Sequence, residues 1–242
     1  FLSQHLYMPV MEPATFQEIK DWVDVGFELS SGSRLFITYL VTSNQADGGG
    51  SVTVSPNRFP DRLNATRRVR IDTSAISSDE RVIIPPVTTV KERQVVEERH
   101  PRLVAAARER GINTILSPCA GDGRTDLAFI TSGLAYVYLE HALHILGLTG
   151  RFPILKLGIS YPLDLELLAS IAEQTGNLCV VEEKRAFIEP QVAAALTHLR
   201  QESRCRHTRL WGKHFPIGVV GFPETMGLSP TLALQHLGRL LK

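Results

Sequence analysis

The second half of the chain alternates short apolar runs with amphipathic stretches, and this alternation constrains the fold more than any other feature. The apolar runs lie at residues 127–130, 153–157, 178–181 and 217–220. Strands that are apolar throughout and joined by helices are typical of a parallel sheet buried on both faces. The pattern therefore predicts a three-layer, doubly wound α/β domain with a mainly parallel sheet over about residues 116–242.

Local signals mark the helices that separate these runs. The third predicted helix has Pro190 in its first turn, and the fourth begins at Ser229-Pro230. Serine before proline is a common start of a helix, because its hydroxyl caps a free N–H group and proline has no N–H to satisfy. The second predicted helix ends at Gly176. These signals support the alternation of strands and helices.

The first half of the chain predicts a partial α/β segment followed by a connector. Residues 13–29 have helical spacing, and residues 35–41 are β-branched and aromatic, which favours a buried strand. One helix and one strand cannot enclose a core, so the segment either pairs with structure downstream or lacks its sheet. Glycines, prolines and mixed charges then predict a connector, with a helix near residues 101–110 that ends at Gly111.

We therefore expect three parts, namely residues 1–47, 48–115 and 116–242, and we expect the last to fold without the first 50 residues. The chain begins at Phe1 and is still helical in pattern at its last residues, which suggests a piece of a longer protein.

Composition excludes several classes of partner. A net charge of +1 over 242 residues gives no strong field for nucleic acid or a membrane surface. No apolar run is long enough to span a bilayer. The three cysteines, Cys119, Cys179 and Cys205, are too scattered for a cluster of C-x-x-C type, and they fit a reducing cytoplasm. We expect a cytoplasmic protein with no nucleic-acid or membrane partner.

Two features suggest a metal site, and neither is specific. Gly121-Asp122-Gly123 matches the GDG of thiamine diphosphate enzymes, whose Asp binds Mg²⁺ together with a later Asn. No Asn occurs between Gly123 and Asn177, and this GDG precedes its strand instead of following it, so a turn is favoured. His141 and His144 share a helix without a third ligand, so solvated side chains are favoured. We predict no metal site.

Two polar segments follow predicted strands at the same sheet edge. Thr131, Ser132 and Gly133 come where a strand ends and a helix begins, which suits either a small bound anion or plain helix capping. Glu182, Glu183, Lys184 and Arg185 follow the third strand. The two carboxylates could do acid–base work, but the adjacent cations are expected to keep both ionised, which favours a salt-bridged contact surface. We expect both segments to contact neighbouring domains or subunits.

Three stretches of sequence resemble a known family in order and spacing. FITSGLAYVYLEHALHILG, LKLGISYPL and VVEEKRAFIE, roughly residues 126–192, resemble the transketolase carboxy-terminal type domain of the 2-oxoacid:ferredoxin oxidoreductases. The ending GFPETMGLSPTLALQHLGRLL resembles the indolepyruvate branch. Upstream, MPVMEPATFQEIKDW is similar to the last helix of the pyrimidine domain in the same proteins, and RLFITYLVT would be its final strand.

The resemblance implies a fragment of a thiamine-dependent indolepyruvate:ferredoxin oxidoreductase, which oxidatively decarboxylates aryl 2-oxoacids to acyl-CoA. The intact enzyme would hold thiamine diphosphate with Mg²⁺ and iron–sulfur clusters, and would pass electrons to ferredoxin. The blocks that bind these groups are absent, so no catalytic residue, metal ligand or cofactor is assigned, and the chain alone is expected to be inactive. Alternatives are the equivalent domain of a pyruvate or 2-oxoglutarate ferredoxin oxidoreductase, or a stand-alone flavodoxin-like binding or scaffold module.

Overall fold

The computed structural model describes residues 2–56, 72–75, 84–117, 123–205 and 207–241. Its strands are β1 (Val10–Met11), β2 (Thr38–Tyr39), β3 (Asn113–Leu116), β4 (Thr125–Ser132), β5 (Ile154–Leu157), β6 (Ile159–Tyr161), β7 (Thr175–Val181) and β8 (Arg209–Trp211). Its α-helices are α1 (Leu2–His5), α2 (Phe16–Ser33), α3 (Ser43–Ala46), α4 (Val87–Gln94), α5 (His100–Glu109), α6 (Gly133–Ile145), α7 (Leu165–Glu173), α8 (Ile188–Gln201) and α9 (Pro230–Leu240).

The main sheet has five strands in the order β3-β5-β4-β7-β8. β4 pairs in parallel with β5 and β7, and β8 pairs in parallel with β7. Only β3, at one edge of this sheet, is antiparallel to its neighbour β5. An antiparallel edge strand on an otherwise parallel sheet is common in doubly wound folds. The predicted mainly parallel α/β sheet is confirmed.

Side chains alternate between two apolar layers along the central strands. Phe129 and Val181 belong to the layer that includes α6 and α9, whereas Ile130 and Val180 belong to the layer that includes α7 and α8. Successive residues of a strand point to opposite faces, so a strand that is apolar at every position can serve both layers. The helices therefore cover both faces, as the three-layer prediction requires.

The predicted strand at residues 217–220 is wrong. The fourth parallel strand is β8, which lies earlier, and residues Pro216–Gly218 form a short 3₁₀ turn. Pro216 has no N–H to donate to a sheet, and Ile217 adopts a left-handed conformation with φ 61°. The chain instead folds back on itself, since Phe222 N–H donates to the Gly212 carbonyl oxygen at 2.8 Å.

The N-terminal segment forms the predicted helix, but its predicted strand is much shorter than expected. α2 begins with a capping box in which Thr15 accepts from the Glu18 N–H and Glu18 accepts from the Thr15 N–H. Of residues 35–41, only Thr38–Tyr39 form a strand, because pairing with β1 extends over two residues. Phe36 is exposed, so this run does not form a buried strand.

A second sheet connects the N-terminal segment to the rest of the chain. Its order is β2-β1-β6, with β1 antiparallel to β6. One apolar cluster includes residues of β1, α2, α5 and β6, namely Met11, Trp22, Leu103 and Ile159. β3 begins at Asn113, within the predicted connector of residues 48–115, and it belongs to the main sheet. The division into residues 1–47, 48–115 and 116–242 stays a prediction.

Among the helices of the described residues, none has the length and apolarity needed to span a bilayer.

Candidate contact site at the carboxyl edge of the sheet

The two polar segments that follow β4 and β7 lie side by side. β4 ends at Ser132 and β7 ends at Val181, and Thr131 is the register partner of Val181. Because the two strands run in the same direction, the residues after them meet at the carboxyl edge of the sheet, where α/β domains meet ligands and partners. The structure thus places residues 131–133 beside residues 182–185.

A carboxylate from the N-terminal segment covers the start of α6. Glu12 Oε2 accepts a hydrogen bond from Ser132 Oγ at 2.8 Å, and Glu12 Oε1 accepts one from Ser160 Oγ at 2.5 Å. Gly133 has φ +48°, and a Cβ atom on it would lie 3.1 Å from Glu12 Oε2. A glycine suits both the left-handed backbone and this close approach. Negative charge is favourable at a helix start, so the chain itself supplies an anion there.

Ser132 and Thr131 do not act as ordinary caps. Ser132 is the N-cap residue of α6, but its hydroxyl makes no capping hydrogen bond and donates to Glu12. Thr131 is fully buried, and its Oγ1 has no hydrogen-bond partner among the described residues. Sequence reasoning missed Glu12, because its two serine partners lie 120 and 148 residues away and no local pattern indicates them.

Glu182 faces inward and caps α8. It is only 4% exposed, and its carboxylate accepts hydrogen bonds from the N–H groups of Phe187 (2.9 Å), Ile188 (2.7 Å) and Glu189 (3.2 Å). Burial raises the pKa of Glu182, while these three N–H groups and the charge of Lys213 act in the opposite direction. Within residues 182–185, Glu182 is therefore a structural group, and the residues that reach the surface follow it.

Glu183, Lys184 and Arg185 form the outer part of this turn. Glu183 is half-buried, and its Oε1 has no hydrogen-bond partner among the described residues. Burial raises the pKa of Glu183, Lys184 lowers it and Glu12 raises it further. The expectation that the adjacent cations keep both carboxylates ionised stays a prediction, and burial, the largest influence on the pKa of each, acts against it. Lys184 and Arg185 are exposed.

A buried lysine supports the turn from below. Lys213 is 5% exposed, and its Nζ donates to the Glu182 carbonyl oxygen at 3.0 Å. Its backbone N–H donates to Glu189 Oε2 at 2.9 Å. Burial lowers the pKa of Lys213, against the nearby carboxylates, which raise it. Sequence reasoning also missed this residue, and only its position just after a parallel strand could have indicated it.

The described residues do not fit thiamine diphosphate with Mg²⁺. They contain no group of three or more His, Cys, Asp or Glu side chains that could hold a metal ion. The helix start over Gly133 carries the Glu12 carboxylate, which would repel a diphosphate. Gly121 and Asp122 of the predicted turn lie outside the described residues, and His141 and His144 are exposed on α6. No chemical step through this cofactor is assigned to these residues.

The fold defines the class as a three-layer α/β domain with a mainly parallel sheet. A solved structure with a similar fold is the 2-oxoglutarate:ferredoxin oxidoreductase from Magnetococcus marinus with 2-oxoglutarate, coenzyme A and succinyl-CoA bound. The TM-score is 0.52 at 14% sequence identity, and the likeness covers 97% of this chain and 42% of that chain. At this identity the likeness shows the fold alone.

The family model of the indolepyruvate oxidoreductase domain matches residues 118–242, and the chain belongs to this family. Over 191 aligned residues it is 29% identical to the indolepyruvate oxidoreductase subunit IorA of Methanothermobacter marburgensis. This alignment covers 79% of this chain and 29% of the length of that protein. It is 27% identical over 189 residues to the subunit of the same name from Archaeoglobus fulgidus, covering 77% and 28%. The resemblance to this family is confirmed, and the chain spans less than a third of the length of these curated relatives.

Proposed function

We propose that the chain is a structural and interface domain of an indolepyruvate (aryl 2-oxoacid) ferredoxin oxidoreductase. The family match over residues 118–242 carries this proposal. In the intact cytoplasmic enzyme, a 2-oxoacid and coenzyme A would give an acyl-CoA, carbon dioxide and a proton, and two electrons would leave through iron–sulfur centres to ferredoxin. Thiamine diphosphate with Mg²⁺ would be bound by other parts of the parent protein.

The role of this chain in that enzyme would be to hold neighbouring domains or subunits in place. Lys184 and Arg185 supply exposed charges at the carboxyl edge, next to the half-buried Glu183, on a base fixed by Glu182 and Lys213. Opposite charges on such an edge steer docking and set orientation more than they add stability. We further propose the division into residues 1–47, 48–115 and 116–242, with the first part contributing Glu12 to the edge.

The activity is tested on the intact parent enzyme, loaded with thiamine diphosphate, Mg²⁺ and iron–sulfur clusters. Reduction of ferredoxin is followed with indolepyruvate, pyruvate and 2-oxoglutarate, each with and without coenzyme A. We expect the fastest reduction with indolepyruvate and loss of the signal without coenzyme A. Fastest reduction with pyruvate or 2-oxoglutarate would move the chain to that branch of the enzymes. No reduction with any 2-oxoacid would favour the flavodoxin-like binding or scaffold module.

The interface role is tested by exchanging two charges, with Glu183→Lys and Lys184→Glu in the intact enzyme. Assembly, measured by light scattering during size-exclusion chromatography, is expected to weaken. The melting temperature of this domain should change little, because Lys184 is exposed and Glu183 Oε1 has no hydrogen-bond partner among the described residues. A large fall in melting temperature with assembly intact would show that the turn is a structural network and that the interface lies elsewhere.

A further inference from the structure

The loop after β8 has a firmly anchored base. Phe215 N–H donates to the Val219 carbonyl oxygen at 2.9 Å, and Gly221 N–H donates to that of Lys213 at 3.1 Å. The buried rings of Phe215 and Phe222 pack edge to face, with centroids 5.4 Å apart. The loop thus has a fixed conformation, held by backbone hydrogen bonds and an aromatic pair.

The tip of the same loop exposes apolar side chains. Ile217 is 101% exposed, and Val219 and Val220 are exposed as well. Met226, which follows the base residue Phe222 in sequence, is 78% exposed. Ile217 has φ 61° and ψ 31°, a left-handed conformation in which a β-branched residue is a clear outlier. Backbone outliers of this kind persist where the surroundings fix them, and they cluster at functional sites. We call residues 216–226 the apolar loop.

Lys213 connects the apolar loop to the charged turn of Glu183, Lys184 and Arg185. Its Nζ donates to the Glu182 carbonyl oxygen at 3.0 Å and to the Pro223 carbonyl oxygen at 3.5 Å. The apolar loop and the charged turn therefore lie at the same edge of the main sheet. An apolar centre beside a polar rim is the usual anatomy of a protein interface.

We propose that the apolar loop docks into an apolar groove on the remaining part of the parent polypeptide. The chain covers only 29% of a curated relative's length, so most of the polypeptide that could cover the loop lies outside these residues. The inference rests on the proposed function, because it takes the chain as one part of a longer oxidoreductase. Ile217 is the central anchor of this contact, and Met226 lies within it.

Methionine oxidation in the intact parent enzyme tests the contact. The enzyme is treated with hydrogen peroxide, and oxidation of Met226 is followed by mass spectrometry, with the fully buried Met11 as the slow internal reference. We expect Met226 to oxidise nearly as slowly as Met11. Ile217→Lys should accelerate oxidation of Met226 about tenfold, as truncating an interface anchor weakens a contact. Ile145→Lys, at an exposed position at the far end of α6, is the matched control and should leave the rate unchanged.

Three outcomes would overturn the proposal. Rapid oxidation of Met226 in the unmodified parent would show that the apolar loop is uncovered. Protection that disappears on dilution would show that a second copy or a separate subunit covers it. The third outcome concerns a second variant.

In Ile217→Gly, which relieves the left-handed strain, the melting temperature should stay level or rise while Met226 oxidises faster. A lower melting temperature with Met226 still protected would show a purely structural role.

The oxidation readout is independent of turnover. A parent with protected Met226 and no ferredoxin reduction would therefore contradict the proposed activity and leave the docking contact standing.

Discussion

The interior of the main sheet and its carboxyl edge are built from different kinds of contact. In the interior, apolar side chains of β4 and β7 fill two layers on either side of the sheet. At the edge, buried polar groups hold together parts of the chain that are far apart in sequence, as when Glu12 joins Ser132 to Ser160. The interior therefore provides stability through apolar area, whereas the edge provides a defined arrangement of charge and hydroxyl groups.

The largest expected effect distinguishes the interior from the surface. Phe129→Ala removes a fully buried ring of β4 that packs edge to face on Phe152, with centroids 5.6 Å apart. We expect the free energy of unfolding to fall by about 3–5 kcal/mol, because the change leaves a cavity between packed layers. Urea unfolding measures the loss. Phe27→Ala, at an exposed position on α2, is the control and should change stability by less than about 0.5 kcal/mol.

At the edge, the Glu182 cap should matter next. Glu182→Ala leaves three N–H groups at the start of α8 without an acceptor, so we expect a loss of about 2–3 kcal/mol in unfolding free energy. Glu182→Gln keeps one acceptor oxygen and should lose less. Glu183→Ala, the neighbouring position, removes a carboxylate whose Oε1 has no partner, and its effect should be small. Equal losses in the two alanine variants would contradict the inward role of Glu182.

A third change separates the N-terminal segment from the edge. Glu12→Ala removes the acceptor shared by Ser132 and Ser160, and we expect a loss of about 1–2 kcal/mol. Because β1 pairs with β6 over a very short stretch, amide hydrogen exchange in β6 should become faster. Glu28→Ala removes only an exposed ion pair with Arg110 and is the control. Unchanged exchange in β6 after Glu12→Ala would show that the apolar cluster around Met11 suffices to hold β1.

The sequence predicts the interior well and the edge poorly, for a physical reason. Apolar runs and helix caps such as Ser229 are local, and the observed β4, β7 and α9 follow them closely. Residues 217–220 are equally apolar, yet the next residues fold back, so apolarity alone could not separate a strand from an exposed loop.

The edge depends on contacts that no local pattern indicates. The residues at strand ends are correctly placed beside each other by strand direction. Their partners Glu12 and Lys213 follow only from the tertiary structure, as does the burial that turns Glu182 inward.

The smallest expected effect is a pH dependence that comes from three titratable groups, one on α9 among residues of the apolar interior and two at the edge. His236 of α9 is buried against Phe215 and Phe222, and burial, with help from Arg239, lowers its pKa below 6.5. The unfolded chain then binds a proton near pH 6.5 while the folded chain does not, so this contribution to stability is present above pH 6.5 and is lost as the pH falls. The raised pKa values of Glu182 and Glu183 act with the opposite sign, because the stability linked to them is present below pH 4.5 and is lost as the pH rises through the raised values.

The contribution of His236 is tested by urea unfolding from about pH 8 to 5.5. Because His236→Gln removes the group that binds a proton in the unfolded chain, its urea midpoint should fall less steeply with falling pH than that of the unmodified chain. His141→Gln, at an exposed position on α6, should follow the unmodified chain. If the urea midpoints of all three proteins change with pH in the same way, the packing of Phe215 and Phe222 at the base of the apolar loop does not depend on a neutral His236.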